Sequence, residues 1–194
     1  GALIFRDERE AALALLDSVS DEALADPIRA SQYHATRGDL QEALGRRDSA
    51  YKEYTRAIEL NPRNAMAMNN MAYFMALDSV NLDLARTYAT MAVSEEPENP
   101  TFLDTHAWVE FRRKEFGEAK RLIDLALSAY NRQDSLPADT AIADSEAEVI
   151  EVVTETPMEP TGEIYDHAGD IYFWNGLHRE AVEFWEKAAL LMPE

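Results

Sequence analysis

Small residues recur along the chain at a fixed interval, between segments in which large apolar residues follow helical spacing. Ala50, Ala85 and Ala119 lie 35 and 34 residues apart. Two further ladders have the same period: Ala57, Ala92, Ala126 and Gly38, Ala72, Ala107. Small side chains are needed where two helix backbones approach closely. A period of this length therefore predicts repeated pairs of packed helices.

Each ladder then continues after a longer gap. The next members are Ala181, Ala188 and Gly169, each 62 residues on, which is one period of 34 plus 28 further residues. The spacing predicts a fourth repeat that follows an insertion. Pro62 and Pro97 come five residues after ladder alanines, where a proline ends a helix. Gly45 is expected at the first hairpin turn.

The last repeat carries the most specific signature, in Gly169, Tyr172, Gly176, Ala181, Trp185, Ala188 and Pro193. This pattern resembles the tetratricopeptide repeat family. The run Asn69 to Tyr73, together with Thr101 to Trp108, is similar to the repeat arrays of bacterial envelope-associated lipoproteins. The resemblance implies an all-α, right-handed superhelix of stacked antiparallel helix pairs, with an N-terminal helical cap and one acidic insertion. Arg37 and His106 depart from the family pattern, which usually has leucine there, and Asn131 stands where a closing proline is usual.

The predicted organisation begins with an N-terminal cap (1–30) and three repeats (31–64, 65–99 and 100–130). An insertion (131–161) and a fourth repeat (162–194) follow. Asp26 before Pro27 is a strong helix start. The leading helix of the first repeat should begin there and be about one turn longer than the others. The inward side of the cap helix is predicted to consist of Ala11, Ala12, Leu15 and Leu16.

The insertion contains eight acidic residues, one basic residue and three prolines. This composition is typical of a solvated loop. Residues 147–154 nevertheless contain a β-branched run that favours extended backbone. The alternative hypothesis is that this run docks against the array as an internal placeholder for a ligand.

The net charge of the chain disfavours some classes of partner. The chain has 37 acidic and 18 basic residues and a net charge of −19, which repels nucleic acid and anionic lipid. No apolar stretch is long enough to insert into a membrane. The absence of cysteine excludes disulfides and thiolate metal sites. The abrupt start at Gly1 suggests that the natural beginning is missing, so the compartment stays open between periplasm or envelope, which the resemblance favours, and cytoplasm.

The resemblance also implies a ligand groove along the leading helices. The groove positions that it indicates are Asp39, Asn69, Tyr73, Asp104, Trp108, Phe111, Asp166, Asp170, Phe173 and Trp174. Aromatic anchors beside carboxylates favour a protein or peptide with basic and apolar residues. In the alternative interpretation, Trp108, Phe111 and Phe173 pack against the next hairpin. The predicted function is a protein-interaction scaffold.

No catalytic, cofactor or metal site is predicted. His34, His106, His167 and His178 lie in different repeats without zinc-ligand spacing and are expected to be solvated or packed. Asp166 and Asp170 could bind a cation only weakly. Two alternatives remain: a structural or assembly subunit of a cell-envelope complex without a peptide groove, and a regulatory domain of a larger enzyme.

The C-terminal helix is the candidate for self-association. Phe184, Ala188 and Leu191 are expected on a side of this helix that no later helix of the chain covers. Terminal repeats normally need a polar outer face. The pattern therefore predicts a weak homodimer through this helix.

Overall fold

The structure, a computed structural model, describes residues 2–20, 24–133 and 160–192. Every regular element in these ranges is an α-helix. The helices are α1 (Ala2–Leu16), α2 (Pro27–Ala43), α3 (Arg47–Leu60), α4 (Ala65–Asp78), α5 (Leu82–Glu95), α6 (Pro100–Arg112), α7 (Phe116–Gln133), α8 (Gly162–Trp174) and α9 (His178–Leu191). None of these helices is long and apolar enough to cross a membrane.

Four antiparallel hairpins stack in chain order. They pair α2 with α3, α4 with α5, α6 with α7 and α8 with α9, and each hairpin packs on the next. Helix α1 packs on α2 and covers the first hairpin. The predicted all-α array of stacked helix pairs with a helical cap is thereby confirmed.

The ladder residues lie where the helices touch. Ala50, Ala57, Ala85 and Ala119 are fully buried. At Gly38 a β-carbon would lie 2.5 Å from the ring of Tyr54, which explains why this crossing needs glycine. The spacing of small residues in the sequence thus reports the close approach of helix backbones.

Helix starts follow the sequence signals. The side chain of Asp26 accepts a hydrogen bond from the backbone N–H of Arg29 at 2.8 Å, and α2 has 17 residues against 14 in α4. The predicted early start and extra turn are confirmed. Asn64 caps α4 by accepting from the N–H of Ala67 at 3.0 Å.

The hairpin turns require left-handed backbone. Gly45 and Gly176 have φ values of 74° and 79° and reverse the chain in the first and fourth hairpins. In the third hairpin the same role falls to Lys114, with φ 69°. The predicted turn position of Gly45 is confirmed, and α3 and α5 end just before Pro62 and Pro97.

Two predicted faces differ from the structure. Within residues 6–16 of α1, Leu13 is the buried residue, and Leu15 is 72% exposed. Ala11 is also exposed, whereas Ala12 and Leu16 are partly buried, so only half of the predicted inward side faces the array. On α9, Ala188 is buried at 3% exposure because it packs on α8 beside Gly162, and Phe184 packs against Tyr172, whereas Leu191 is exposed as predicted.

Helix α7 continues through Asn131 to Gln133. Asn131 stands where a closing proline is usual, and without that proline the helix does not end at this position. The β-branched run at 147–154, and with it the placeholder hypothesis, lies outside the described residues.

Candidate partner-binding site

A continuous row of rings crosses the array from the second hairpin to the fourth. Neighbouring ring centroids are 6.2 Å, 4.2 Å, 5.0 Å, 5.7 Å and 5.3 Å apart. We call this set the aromatic row; in spatial order it consists of Tyr73, His167, Trp108, Phe111, Phe116 and Trp174. Three of its contacts are nearly parallel stacks, with interplanar angles of 14° to 18°.

One end of the row opens into a cleft between the ends of α6 and α8. We call it the Trp174 cleft; its walls include Trp108, Phe111, Arg112, Phe116, Asp170 and Trp174. Trp108 is largely buried in the wall, while 61% of Trp174 is exposed. The cleft therefore offers an apolar surface that is already ordered and still accessible.

The chain path explains why these rings meet. Phe111 lies in the last turn of α6, the left-handed residue Lys114 reverses the chain, and Phe116 opens α7. The side-chain amide of Asn175 donates to the carbonyl of Phe116 at 2.9 Å and to that of Ile171 at 2.8 Å. This link joins the end of α8 to the start of α7, so Trp174 is held against Phe116.

Charged groups surround the rings. The guanidinium of Arg112 lies 5.6 Å from the ring centroid of Trp108, within cation–π range. On α8, Asp166, Asp170 and Trp174 follow one another at intervals of four residues and share one side of the helix. The side of α8 that leads into the cleft is therefore acidic and then aromatic.

Asp170 is an unusual carboxylate. Burial raises its pKa, and the negative charge of Asp166 one helical turn away raises it further. A hydrogen bond from Trp185 acts in the opposite direction. A cation placed between Asp166 and Asp170 would offset their repulsion.

The buried centre of the row is held by an ion pair. Nδ1 of His167 lies 2.9 Å from Oδ1 of Asp104, and the His167 side chain is 5% exposed. The hydroxyl of Tyr73 donates a hydrogen bond to Glu163. These contacts join α4 and α6 to α8.

Comparisons with known proteins agree with this architecture. Residues 31–64, which span most of the first hairpin, match the family model described as tetratricopeptide repeat. The chain contains a tetratricopeptide repeat. The predicted family resemblance is thus confirmed.

A TPR repeat-containing protein of Pseudomonas aeruginosa is 30% identical to the tetratricopeptide array over 95 residues. That alignment covers 49% of this chain but only 16% of the relative, so the chain spans a small part of its relative's length.

Solved structures share the fold. The structure of MamA from Desulfovibrio magneticus RS-1, from residue 41 to its end, has a TM-score of 0.63 and 15% identity, with 97% of this chain and 88% of that chain covered. BtubC from P. vanneervenii has a TM-score of 0.67 and 16% identity, with 95% of this chain and 73% of that chain covered. Stacked repeats present extended binding surfaces, so the comparisons support a protein-interaction scaffold.

Most of the predicted groove residues of the tetratricopeptide array lie at one place. The structure groups them around the aromatic row: Tyr73, Asp104, Trp108, Phe111, Asp170 and Trp174. Asp166 is exposed one turn before Asp170, and Phe173 is 44% exposed but contacts His178 at the next turn.

The other two predicted residues are engaged elsewhere. Asp39 accepts hydrogen bonds from the hydroxyl of Tyr54 at 2.7 Å and from the amide of Asn70 at 2.9 Å, which joins the first two hairpins. Asn69 is buried at 3% exposure. These two side chains are therefore poorly placed to contact a partner at the Trp174 cleft.

The sequence interpretation missed Phe116 and Arg112 as cleft residues. Phe116 belongs to the second helix of its hairpin, whereas the family pattern places the groove positions on the leading helices. His167 is buried, which agrees with the expectation of solvated or packed histidines, but the pairing of His34 with Glu53 at 2.7 Å and of His167 with Asp104 at 2.9 Å was not predicted. No group of three potential metal ligands is found in the described part of the chain.

Proposed function

We propose that this protein is an interaction scaffold whose Trp174 cleft holds an apolar side chain of a partner peptide or helix. The observation that carries the proposal is an indole that is 61% exposed yet stacked on Phe116 at 5.3 Å. Large exposed rings are the usual anchors of protein interfaces. Because Trp174 is already ordered by its stack, it loses little conformational entropy when a partner binds.

The charges favour a partner with Lys or Arg beside its apolar anchor. Asp170 lies one helical turn and Asp166 two turns before Trp174, so a basic side chain could contact the carboxylates while its neighbour enters the cleft. The net charge of −19 also speeds the approach of basic partners. Arg112 and Lys114 on the opposite wall limit this preference to the α8 side of the cleft.

A catalytic role has less support. Tetratricopeptide arrays are typically non-catalytic scaffolds, and His34 and His167 each lie within hydrogen-bond distance of a carboxylate. A regulatory domain of a larger enzyme would bind its partner through the same cleft. The binding experiments below therefore have the same expected results for this alternative.

The assembly alternative rests on another surface. Of the face predicted for a homodimer, Leu191 is 49% exposed, and its neighbour Leu190 is 82% exposed. A second copy that covered these two leucines at the end of α9 would give a weak homodimer. Sedimentation equilibrium tests it: a Leu190→Glu variant should lower the dimer fraction, and a wild-type protein that is monomeric at all concentrations would remove this alternative.

A peptide array of random sequences tests the cleft with defined probes. We expect bound peptides to be enriched in Lys or Arg next to an aromatic or large aliphatic residue. Trp174→Ala should weaken binding about 30-fold, because loss of an anchor costs about 2 kcal/mol. Phe173→Ala is the matched control, since Phe173 is an exposed aromatic neighbour that does not line the cleft.

The charge preference is tested separately. Replacing Asp166 and Asp170 together by Asn should remove the enrichment for basic residues but keep the apolar anchor. Far-UV circular dichroism checks that each variant keeps its helices. Equal binding by the Trp174→Ala and Phe173→Ala variants, or enrichment of acidic peptides, would refute the proposal.

A further inference from the structure

One buried imidazole lies where three leading helices meet. His167 of α8 contacts α6 through Asp104 and Trp108, and its ring faces Tyr73 of α4 at 6.2 Å. Its side chain is 5% exposed. A histidine in this position can change its charge at a buried junction that also contains the carboxylate of Asp104.

The contact with Trp108 is close and parallel. The ring centroids of His167 and Trp108 are 4.2 Å apart with an interplanar angle of 14°. A cation over an indole face is attracted by the ring electrons, and the attraction is larger when the pair is shielded from water. The charged form of His167 therefore holds the indole more firmly than the neutral form.

The surrounding charges decide which form is favoured. Burial opposes the charged form, but the negative charge of Asp104, the hydrogen bond to it and the charges of Glu163 and Asp166 outweigh burial and raise the pKa of His167. Other groups around the pair are Asp170 on α8, Tyr73 on α4 and Tyr130 on α7. Both tyrosines have raised pKa values, chiefly because of burial, so they stay neutral where histidine titrates.

We propose that the Asp104–His167 pair is a charge-dependent clamp that joins α8 to α6 and positions the indole of Trp108 in the wall of the Trp174 cleft. The clamp is closed when the imidazole is protonated and loosens when it becomes neutral. His167 is a positioning residue, because it lies behind the cleft wall and acts through Trp108.

The sign of the pH effect follows from the direction of the shift. A raised pKa in the folded protein means that the added stability is complete below the ordinary value of about 6.5 and is lost as pH rises through the higher folded value. The junction between the third and fourth hairpins should therefore be tightest in mild acid. This proposal stands whether or not the cleft binds a partner.

Proton titration by nuclear magnetic resonance tests the charge of His167 directly. The chain has four histidines, and the signal that disappears in His167→Gln identifies this one. We expect a midpoint above 6.5 in the wild type and a lower midpoint in Asp104→Asn, because the charge and the hydrogen bond of Asp104 no longer oppose the effect of burial. The variant His34→Gln is the matched control, because it removes a different carboxylate-paired histidine in the first hairpin.

Fluorescence tests whether the charge acts on Trp108. In a Trp174→Phe, Trp185→Phe background Trp108 is the only tryptophan, and a protonated imidazole in contact with an indole quenches its emission. We expect emission to rise with the same midpoint as His167 loses its proton. The rise should be lost in His167→Gln and retained in His34→Gln.

Two results would overturn the clamp. One is a His167 midpoint that Asp104→Asn leaves unchanged. The other is Trp108 emission that does not follow His167 in a background that keeps the wild-type helix content. A partner-binding failure at the cleft would leave both titrations unaffected, so the two proposals can fail independently.

Discussion

Adding one methyl group at Gly38 tests the claim that the ladder of small residues marks close helix contacts. Gly38 of α2 faces Tyr54 of α3, and the β-carbon of an alanine would lie 2.5 Å from the ring. Tyr54 is 1% exposed, and its hydroxyl donates to Asp39 at 2.7 Å. The ring is fixed at both ends, so it cannot turn away without losing packing or the hydrogen bond.

Two effects set the magnitude for Gly38→Ala. Alanine stabilises a helix interior by about 1 kcal/mol relative to glycine. Overpacking of a well-packed core costs about 1–3 kcal/mol. The net change in the free energy of unfolding should therefore range from about zero to a loss of about 2 kcal/mol.

Gly117→Ala is the matched control. Gly117 is helical, lies in the first turn of α7 and has no atom within 4 Å of a new β-carbon. This variant should be stabilised by up to about 1 kcal/mol. The two variants should differ by about 1–3 kcal/mol in urea unfolding followed by far-UV circular dichroism. If Gly38→Ala is as stable as Gly117→Ala, the close-contact explanation of the ladder is wrong.

Two further predictions concern stability. Burial and the positive charges of Arg86 and Arg121 outweigh Glu118 and lower the pKa of His106 to about 4. Wild type should therefore lose up to about 3 kcal/mol as pH falls from about 6.5 to about 4, because only the unfolded chain takes up this proton. Urea unfolding of His106→Leu should lack this part of the pH dependence. Asn64→Ala should cost about 1–2 kcal/mol by the same assay, because the Asn64 side chain caps α4 at 3.0 Å and donates to Ser31 at 2.8 Å; a loss near zero would show that water replaces the cap.

The sequence predicted the repeated hairpins because their requirements are local or periodic. Each signal indicates one structural feature: small residues mark the helix crossings, prolines follow the ends of α3 and α5, and the Asp-Pro pair marks the start of α2. The turn at Gly45 follows from the left-handed backbone that glycine adopts easily. These signals act within a single hairpin and recur in the following hairpins. The spacing of residues along the chain is therefore sufficient to predict the hairpins.

The inward face of α1 could not be predicted in the same way. Its second half has apolar residues on more than one side, and only the packing on α2 selects Leu13 over Leu15. Likewise, Ala188 of α9 is buried because α8 contains Gly162 at the contact. A helix with two apolar sides takes its orientation from its neighbour.

The candidate site shows the same division. The recurrence of aromatic and acidic residues on the leading helices can be predicted from helical spacing and the family pattern. Which of these residues meet depends on the packing of the hairpins: Phe116 enters the cleft from another helix, and Asp39 is engaged by Tyr54 and Asn70. Contacts between hairpins depend on how whole helices stack, and that stacking depends on many side chains far apart in the chain.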